Sequence, residues 1–316
     1  MNVAALVLVL LALLAAPVVW SQPAWTPPRT PWGDPDLQGV FSNDNEYATP
    51  LERPAEFAGR TMRELSPAEL SKIRGEARQR MVAALPGGRV RGPDEWWLQN
   101  LDLSKRSQPW LIVDPPDGRI PALTAGGQRR AQQAGRIRSS FAGGPFNGPE
   151  DLNPLERCIT RGVPGAMIPV MYSNTYEFVQ SPGYVAITYE IVHEPRIIPL
   201  DGRPRVGAAI RQHLGDARGR WEGNTLIVET TNLSALAAYR GANPATLRVV
   251  ERFTRVAPDR IAWSATIDDP STWSRPWTIA MPLVRHPYGL LPFDCHENNY
   301  GLANILKGAR AGEKNP

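Results

Sequence analysis

The sequence predicts a mostly β protein: an antiparallel up-and-down barrel of lipocalin type, with N-terminal helices and a proline-rich strap packed on it. Short runs of alternating apolar and polar residues fill the chain over residues 172–284, and Gly-, Pro-, Asn- and Asp-containing turns separate them. Period-two alternation between turns is typical of strands with one buried face. The runs follow one another with few long connections, which favours an up-and-down barrel over a Greek-key sandwich.

The chain begins with an almost wholly apolar segment, residues 3–19, which Ser21 follows closely. This composition is typical of a secretory signal peptide, so we assign residues 1–21 to one. An uncleaved anchor is the alternative, because about 18 apolar residues just span a bilayer. Cleavage predicts a periplasmic or secreted protein with no integral membrane association.

Composition divides the rest of the chain into three parts. Residues 22–35 contain five prolines and predict an extended strap. Residues 36–150 predict a layer of helices and straps packed on the barrel, and residues 151–316 predict the barrel itself with a C-terminal loop. In the layer we expect a short strand at 36–41, a helix at 66–84 that starts with a capping box, a strand at 110–113, a turn at 114–118, and a helix capped by Thr124 that runs through 128–137.

The barrel strands are predicted from their alternation and from the turns between them. They span residues 176–180, 184–190, 196–200, a segment around 221, 225–230, 246–255, 260–268 and 275–284.

Sorting alternate residues onto one face predicts a barrel interior rich in aromatic side chains. As candidate ligand-binding residues we take Tyr189, Glu251, Trp263, Trp277 and Met281. The interior either holds a ligand or is filled by these side chains, since small barrels do both. Glu251 stands out as a carboxylate on the apolar face, where it needs a partner. It either belongs to a binding site, forms a structural ion pair, or reaches solvent at a strand end.

A few polar residues are candidates for catalysis. We name His193, Glu251, His296 and Glu297 for a hydrolase or isomerase reaction; His296 and Glu297 belong to the densest polar cluster of the chain, residues 294–300. No histidines have the spacing of a helical zinc motif, and no phosphate-binding loop or nucleophile elbow is present. We therefore predict no metal and no cofactor.

The charge and the cysteine content of the chain indicate which partners and which covalent bonds to expect. Thirty-five basic and 31 acidic residues give a net charge of only +4, and the basic residues are scattered, which excludes a nucleic-acid-binding protein. The chain has two cysteines, Cys158 and Cys295, and an exported protein is expected to pair them. Two buried free thiols are the alternative.

Several stretches together make the chain resemble a family of uncharacterised exported bacterial proteins. They lie at residues 111–120, 192–196, 200–203, 219–226, 250–254, 268–277 and 295–300. The resemblance implies export and a mostly β fold, and it implies no particular activity. The chain departs from the family pattern at His213, where Trp is usual, and at Asn224, where Asp is usual.

From these observations we expect an exported protein that binds a small, partly apolar molecule inside its barrel. A secreted enzyme that uses the His and Glu residues named above is the alternative. A structural envelope protein is the third expectation; it would make contacts through its strap and through the helix at 66–84, one face of which carries Lys72, Arg74, Arg78 and Arg80. The sequence leaves the oligomeric state open.

Overall fold

The computed structural model describes residues 25–47, 49–83, 108–134, 145–170, 172–297 and 299–313. The predicted signal peptide, the start of the predicted strap and the end of the second predicted helix lie outside them. The described strands are β1 (Gly39–Ser42), β2 (Ile112–Asp114), β3 (Thr175–Ser181), β4 (Tyr184–Tyr189), β5 (Pro195–Pro199), β6 (Asp216–Glu222), β7 (Thr225–Thr231), β8 (Arg248–Ala257), β9 (Arg260–Asp268) and β10 (Trp277–Arg285). The described α-helices are α1 (Pro67–Ala83), α2 (Ala125–Ala134) and α3 (Tyr300–Glu313).

Nine strands form one nearly closed antiparallel barrel, in the order β5-β4-β3-β1-β10-β9-β8-β7-β6. This confirms the predicted mostly β barrel and its up-and-down order. Strand β1 pairs with both β3 and β10 and so joins the two halves of the wall, while β2 pairs with β10 beside the barrel. The sequence predicted the strand at β1 but grouped it with the layer on the barrel, whereas it lies in the barrel wall.

The barrel is left open at one seam, between β5 and β6. With nine strands of alternating direction, one neighbouring pair must run the same way, and here it is β5 and β6. In the described chain no ladder of hydrogen bonds joins them. Their side chains nevertheless pack closely: a Cβ added to Gly219 would lie 2.5 Å from Leu200 Cδ2 and 2.8 Å from Ile198 Cγ2.

The apolar faces of the strands converge on one core, as the alternation predicts. In β8, for example, Val249, Glu251 and Phe253 are buried, whereas Arg248 and Arg252 are exposed. The largest fully buried side chains include Trp263 and Trp277. A smaller apolar cluster outside the barrel holds α1, through Phe57, Leu65, Ile73 and Trp110.

Non-strand segments cover both ends of the barrel. One end is covered by the described part of the strap, residues 25–35, and by the two residues that follow it: Leu37 N donates to Gln180 Oε1 at 2.6 Å, and Arg255 Nη1 donates to Asp36 O at 3.1 Å. The other end is covered by the cap, which we define as residues 152–168 and 233–242. Cap residues belong to the barrel core, among them Val163, Met167, Leu233 and Ala237.

The helix starts agree with the sequence. Ser66 N donates to Glu69 Oε2 at 2.8 Å at the start of α1, and Gly127 N donates to Thr124 Oγ1 at 3.0 Å at the start of α2. Helix α3, in contrast, lies where the sequence predicted only a loop. Its partly buried residues Leu302, Ile305, Leu306 and Ala309 have helical spacing, but three glycines between residues 301 and 312 weaken that signal.

The predicted disulfide Cys158–Cys295 is present and joins residues 137 positions apart. It ties the cap to the segment before α3. In the described ranges, no helix combines the length and apolar character that crossing a membrane requires.

Candidate functional site

Three of the predicted ligand residues meet at a buried ion pair inside the barrel. Arg196 Nη1 donates to Glu251 Oε2 at 2.5 Å, and Trp263 Nε1 donates to Glu251 Oε1 at 3.2 Å. Arg196 also donates to Thr230 Oγ1 and, at 3.4 Å, to the hydroxyl of Tyr189. Of the possibilities open for Glu251, the structure shows the ion pair.

The Arg196 guanidinium of this ion pair is held in its charged form. Burial is the largest single influence and lowers the pKa of the Arg196 guanidinium, but Glu251 and Tyr189 together raise it more, so that the net direction is upward. Burial raises the pKa of Tyr189 to about 12; the Arg196 charge opposes this, and Glu251 adds to it. Neither Arg196 nor Tyr189 therefore exchanges protons near neutral pH.

Trp277 and Met281 lie elsewhere in the same core. The Trp277 ring packs against Trp273 and Tyr239, with centroids 5.5 and 6.1 Å apart, and Met281 Sδ accepts from Asn43 Nδ2 at 3.3 Å. All five predicted ligand residues are at most 3 % exposed. A water-filled space would expose the side chains that form its wall, so the barrel interior beside these residues is filled. Of the two possibilities that the sequence left open for the interior, the burial of these five side chains favours a filled core.

The four predicted catalytic residues are not brought together. His193, His296 and Glu297 are exposed, whereas Glu251 is buried in the barrel. No hydrogen bond or ion pair of the described structure joins any two of them. The enzyme expectation required at least two within hydrogen-bonding distance, which this geometry does not supply. Nor do the described residues hold a group of three or more His, Cys, Asp and Glu side chains suited to a metal ion.

A cleft that the sequence did not predict lies between the two parts of the cap. We call it the cap cleft; its volume is about 230 Å³. It has apolar walls with polar groups among them, and its lining is Asn153, Pro154, Leu155, Thr160, Arg161, Gly165, Leu236, Ala237, Ala238, Tyr239 and Arg240. Close backbone packing builds it: Gly162 has a φ of +62°, and a Cβ there would lie 2.4 Å from Ala237 O.

Arg161 is one of two charged residues in the wall of the cap cleft. Its Nη1 donates to Ile168 O at 3.0 Å, and no carboxylate of the described chain pairs with it. Burial lowers the pKa of its guanidinium, an effect that the hydroxyls of Tyr176 and Tyr239 only partly oppose. An arginine nevertheless remains protonated in a protein, so the cleft has a positive charge in its wall.

Tyr239 and Arg240 stand beside Arg161 in the same cleft. Burial raises the pKa of the Tyr239 hydroxyl, although Arg240 and Arg161 both act to lower it. Tyr239 thus stays protonated and is able to donate a hydrogen bond. Arg240 is exposed and has a φ of +53°, in the left-handed region.

A second polar group adjoins the cap cleft through Thr160. Thr160 Oγ1 donates to Glu194 Oε2 at 2.7 Å, and His213 Nδ1 lies 2.9 Å from Ser234 Oγ. Burial raises the pKa of Glu194, which the Thr160 hydrogen bond and the nearby His213 oppose. Glu194, His213 and Ser234 therefore form a chain of titratable and hydroxyl groups next to the cleft.

A larger cleft, of about 510 Å³, lies at the strap end of the barrel. It is lined by Gly39, Val40, Arg285, His286, Pro287, Tyr288 and Gly289. From Arg285 to Gly289 its lining residues are exposed or partly exposed, and no deeply buried polar side chain contributes to it. Its arginine, Arg285, is exposed, whereas Arg161 in the cap cleft is partly buried.

The sequence did not reveal Arg161, Tyr239 and Arg240 because they lie in connections without strand or helix periodicity. A weak signal exists in the first connection, where Arg161 stands in the tight Arg-Gly-Val-Pro-Gly run at 161–165. Only folding brings this run against residues 236–240.

Comparison of the chain with protein-family models, curated proteins and solved structures gave no match.

Proposed function

We propose that this chain is an exported small-molecule-binding protein whose ligand site is the cap cleft, not the barrel interior. The observation that carries the proposal is a concave site with apolar walls in which Thr160, Arg161, Tyr239 and Arg240 converge. Small-molecule sites commonly combine an apolar lining with a few placed polar groups. The barrel below supplies a rigid base, because its interior is filled.

Export is supported by the disulfide, which is compatible with an oxidising compartment. It is also supported by the apolar segment within residues 1–21. Export with signal-peptide cleavage is tested by expressing the full chain in a bacterial host and sequencing the N-terminus of the product. We expect the mature chain to begin just after Ser21, and an intact N-terminus would contradict cleavage.

Ligand-observed NMR tests the binding function. A fragment set with equal numbers of acidic, basic and neutral compounds is screened against the wild-type protein. The same screen is run on Leu236→Trp, which fills the cap cleft at a side chain that is 39 % exposed. Val179→Trp is the control, since Val179 is 47 % exposed on the outer barrel wall. We expect hits that Leu236→Trp abolishes and Val179→Trp retains; hits that survive Leu236→Trp would place binding elsewhere.

A hydrolase is a second candidate, on different residues from those the sequence named. It is favoured by the contact between His213 and Ser234 and by Glu194 near His213. A fluorophosphonate probe tests it: labelling that Ser234→Ala removes would support a nucleophilic serine. An unlabelled wild-type protein would leave binding as the function.

The third expectation, a structural envelope protein, draws on the exposed aromatic residues of the strap. Trp25 is 38 % exposed and Trp32 is 36 % exposed. The Trp32 indole, however, donates to Asp34 Oδ2 at 3.0 Å within the strap itself. Two isolated tryptophans form no continuous patch, so they support this function less than the cap cleft supports binding.

A further inference from the structure

We infer that the ligand of the cap cleft is a small organic acid whose carboxylate is bound by Arg161 and Arg240 and whose apolar part lies against the cleft wall. The inference rests on the proposed function and specifies its ligand class. It follows from the charge, the hydrogen-bond donors and the size of the cleft.

The first step is the charge balance around Arg161. Two buried arginines have carboxylate partners, since Arg196 pairs with Glu251 at 2.5 Å and Arg255 lies 3.8 Å from Asp36. A third, Arg53, donates to the backbone carbonyls of Arg60 and Pro116. Arg161 has one backbone acceptor and no carboxylate among the described residues. Arg161 is partly buried, and a charge that is partly removed from water without a counter-charge has a desolvation cost. A bound anion would offset that cost, and a carboxylate matches the two-pronged geometry of a guanidinium.

The second step is the set of donors around that position. Arg240 adds a second guanidinium to the cleft wall, and Tyr239 adds a protonated hydroxyl that interacts with Arg240 and is in electrostatic range of Arg161. Arg240 also has a backbone conformation that is rare for a residue with a side chain. Such conformations tend to cluster at ligand-binding sites. The described residues of the cleft wall therefore present donors and positive charge, and none of them is a carboxylate.

The third step is the size and the apolar part of the site. A volume of about 230 Å³ is below the roughly 300–1,000 Å³ of pockets for drug-sized ligands. Pro154, Leu155, Leu236 and Ala237 supply apolar walls. An inorganic anion would leave these walls uncovered, whereas a short-chain or single-ring acid would cover them and reach Arg161.

The test compares acids with their uncharged analogues. Butyrate, hexanoate and benzoate are titrated into the full-length mature protein, in parallel with butyramide, hexanamide and benzamide, by ligand-observed NMR. We expect at least one acid to bind at least tenfold more tightly than its amide. The affinity of that acid should fall at least tenfold in Arg161→Gln and severalfold in Arg240→Gln.

Arg260→Gln is the matched control, because Arg260 is exposed on β9 near the strap end, away from the cap cleft. It should leave the affinity of the acid unchanged. If Arg161→Gln does not fold, Arg240→Gln and the acid-to-amide ratio decide the question, since the Arg240 side chain is exposed.

The outcomes separate the ligand class from the binding function. Equal affinity for acids and amides, or cleft hits from the fragment screen that are all neutral or basic, would overturn the organic-acid inference and leave the binding function standing. An acid that binds equally well to wild-type protein and Arg240→Gln, and also to folded Arg161→Gln, would likewise overturn it. No binding of any compound at the cap cleft would overturn both.

Discussion

Arg196 and Glu251 form an ion pair at 2.5 Å across the barrel interior, although their strands β5 and β8 are not neighbours in the sheet. Arg196 also reaches Thr230 on β7, so one side chain links the β5 edge to two strands on the far side of the open seam. No ladder of hydrogen bonds in the described structure does this. We interpret the pair as the feature that sets how the two edges of the barrel meet.

The first prediction concerns that ion pair. Glu251→Leu leaves the Arg196 charge buried without a partner and should lower the free energy of unfolding by about 3–5 kcal/mol. The double variant Arg196→Met with Glu251→Leu replaces both charges by apolar groups and should recover most of this loss. The change in the free energy of unfolding is measured by urea denaturation of the wild type, both single variants and the double variant. A double variant as unstable as the sum of the single variants would contradict the coupling.

The second prediction concerns close packing at the seam. Gly219→Ala places a methyl group 2.5 Å from Leu200 Cδ2, and relieving such overpacking costs about 1–3 kcal/mol. Gly207→Ala is the control, since nothing lies within 4 Å of a Cβ at that position. Thermal denaturation should show a lower Tm for Gly219→Ala only. Equal Tm values would mean that the two strand edges separate easily.

The third prediction concerns the disulfide. Reduction, or the variant Cys158→Ser with Cys295→Ser, opens a loop of 137 residues and should lower the free energy of unfolding by about 4 kcal/mol. Chemical denaturation with and without reductant measures the change, and the double serine variant should no longer respond to reductant. Alkylation of the untreated protein should modify neither cysteine; modification of both would show free thiols.

The fourth prediction concerns Glu194. Burial raises the pKa of this carboxyl above its ordinary value of 4.5, so the folded protein retains the proton to a higher pH than the unfolded chain. Stability therefore decreases as the pH rises through the interval between the two pKa values. Glu194→Gln removes this loss, and its Tm should exceed that of the wild type at pH 7.

The difference for Glu194→Gln should disappear at a pH well below 4.5, where the carboxyl is protonated in both states. Thermal denaturation of both proteins across this pH range is the measurement. A constant difference at all pH values would show that burial does not perturb this carboxyl.

Much of the fold could be predicted from local patterns. Strand alternation located the β3–β10 strands, and capping residues such as Ser66 and Thr124 located the starts of two helices. Residues far apart in the chain were harder to place. The short strand β1 looked like part of a separate layer, because its two partners, β3 and β10, lie more than 130 residues further along the chain.

The candidate site shows the same limit more clearly. Glu251 stood out in the sequence because a carboxylate on an apolar face conflicts with its surroundings. The sequence indicated that Glu251 needs a partner, but it did not identify Arg196 as that partner. It left open whether the aromatic face holds a ligand or fills the interior, and the burial of those side chains favours the filled interior. Arg161 and Tyr239 lie more than 70 positions apart, and neither breaks a local pattern. The sequence therefore did not identify them as site residues.

The amino-acid sequence by itself therefore determined which residues form strands, which faces turn inward and which cysteines pair, because alternation, turn residues and cysteine count are local or compositional properties. The tertiary structure alone decided that the interior is filled, that one seam remains open, and that an arginine without a carboxylate partner among the described residues lines a cleft in the cap. Those features depend on distances between segments that are remote in the chain. Packing sets such distances, and no local pattern records them.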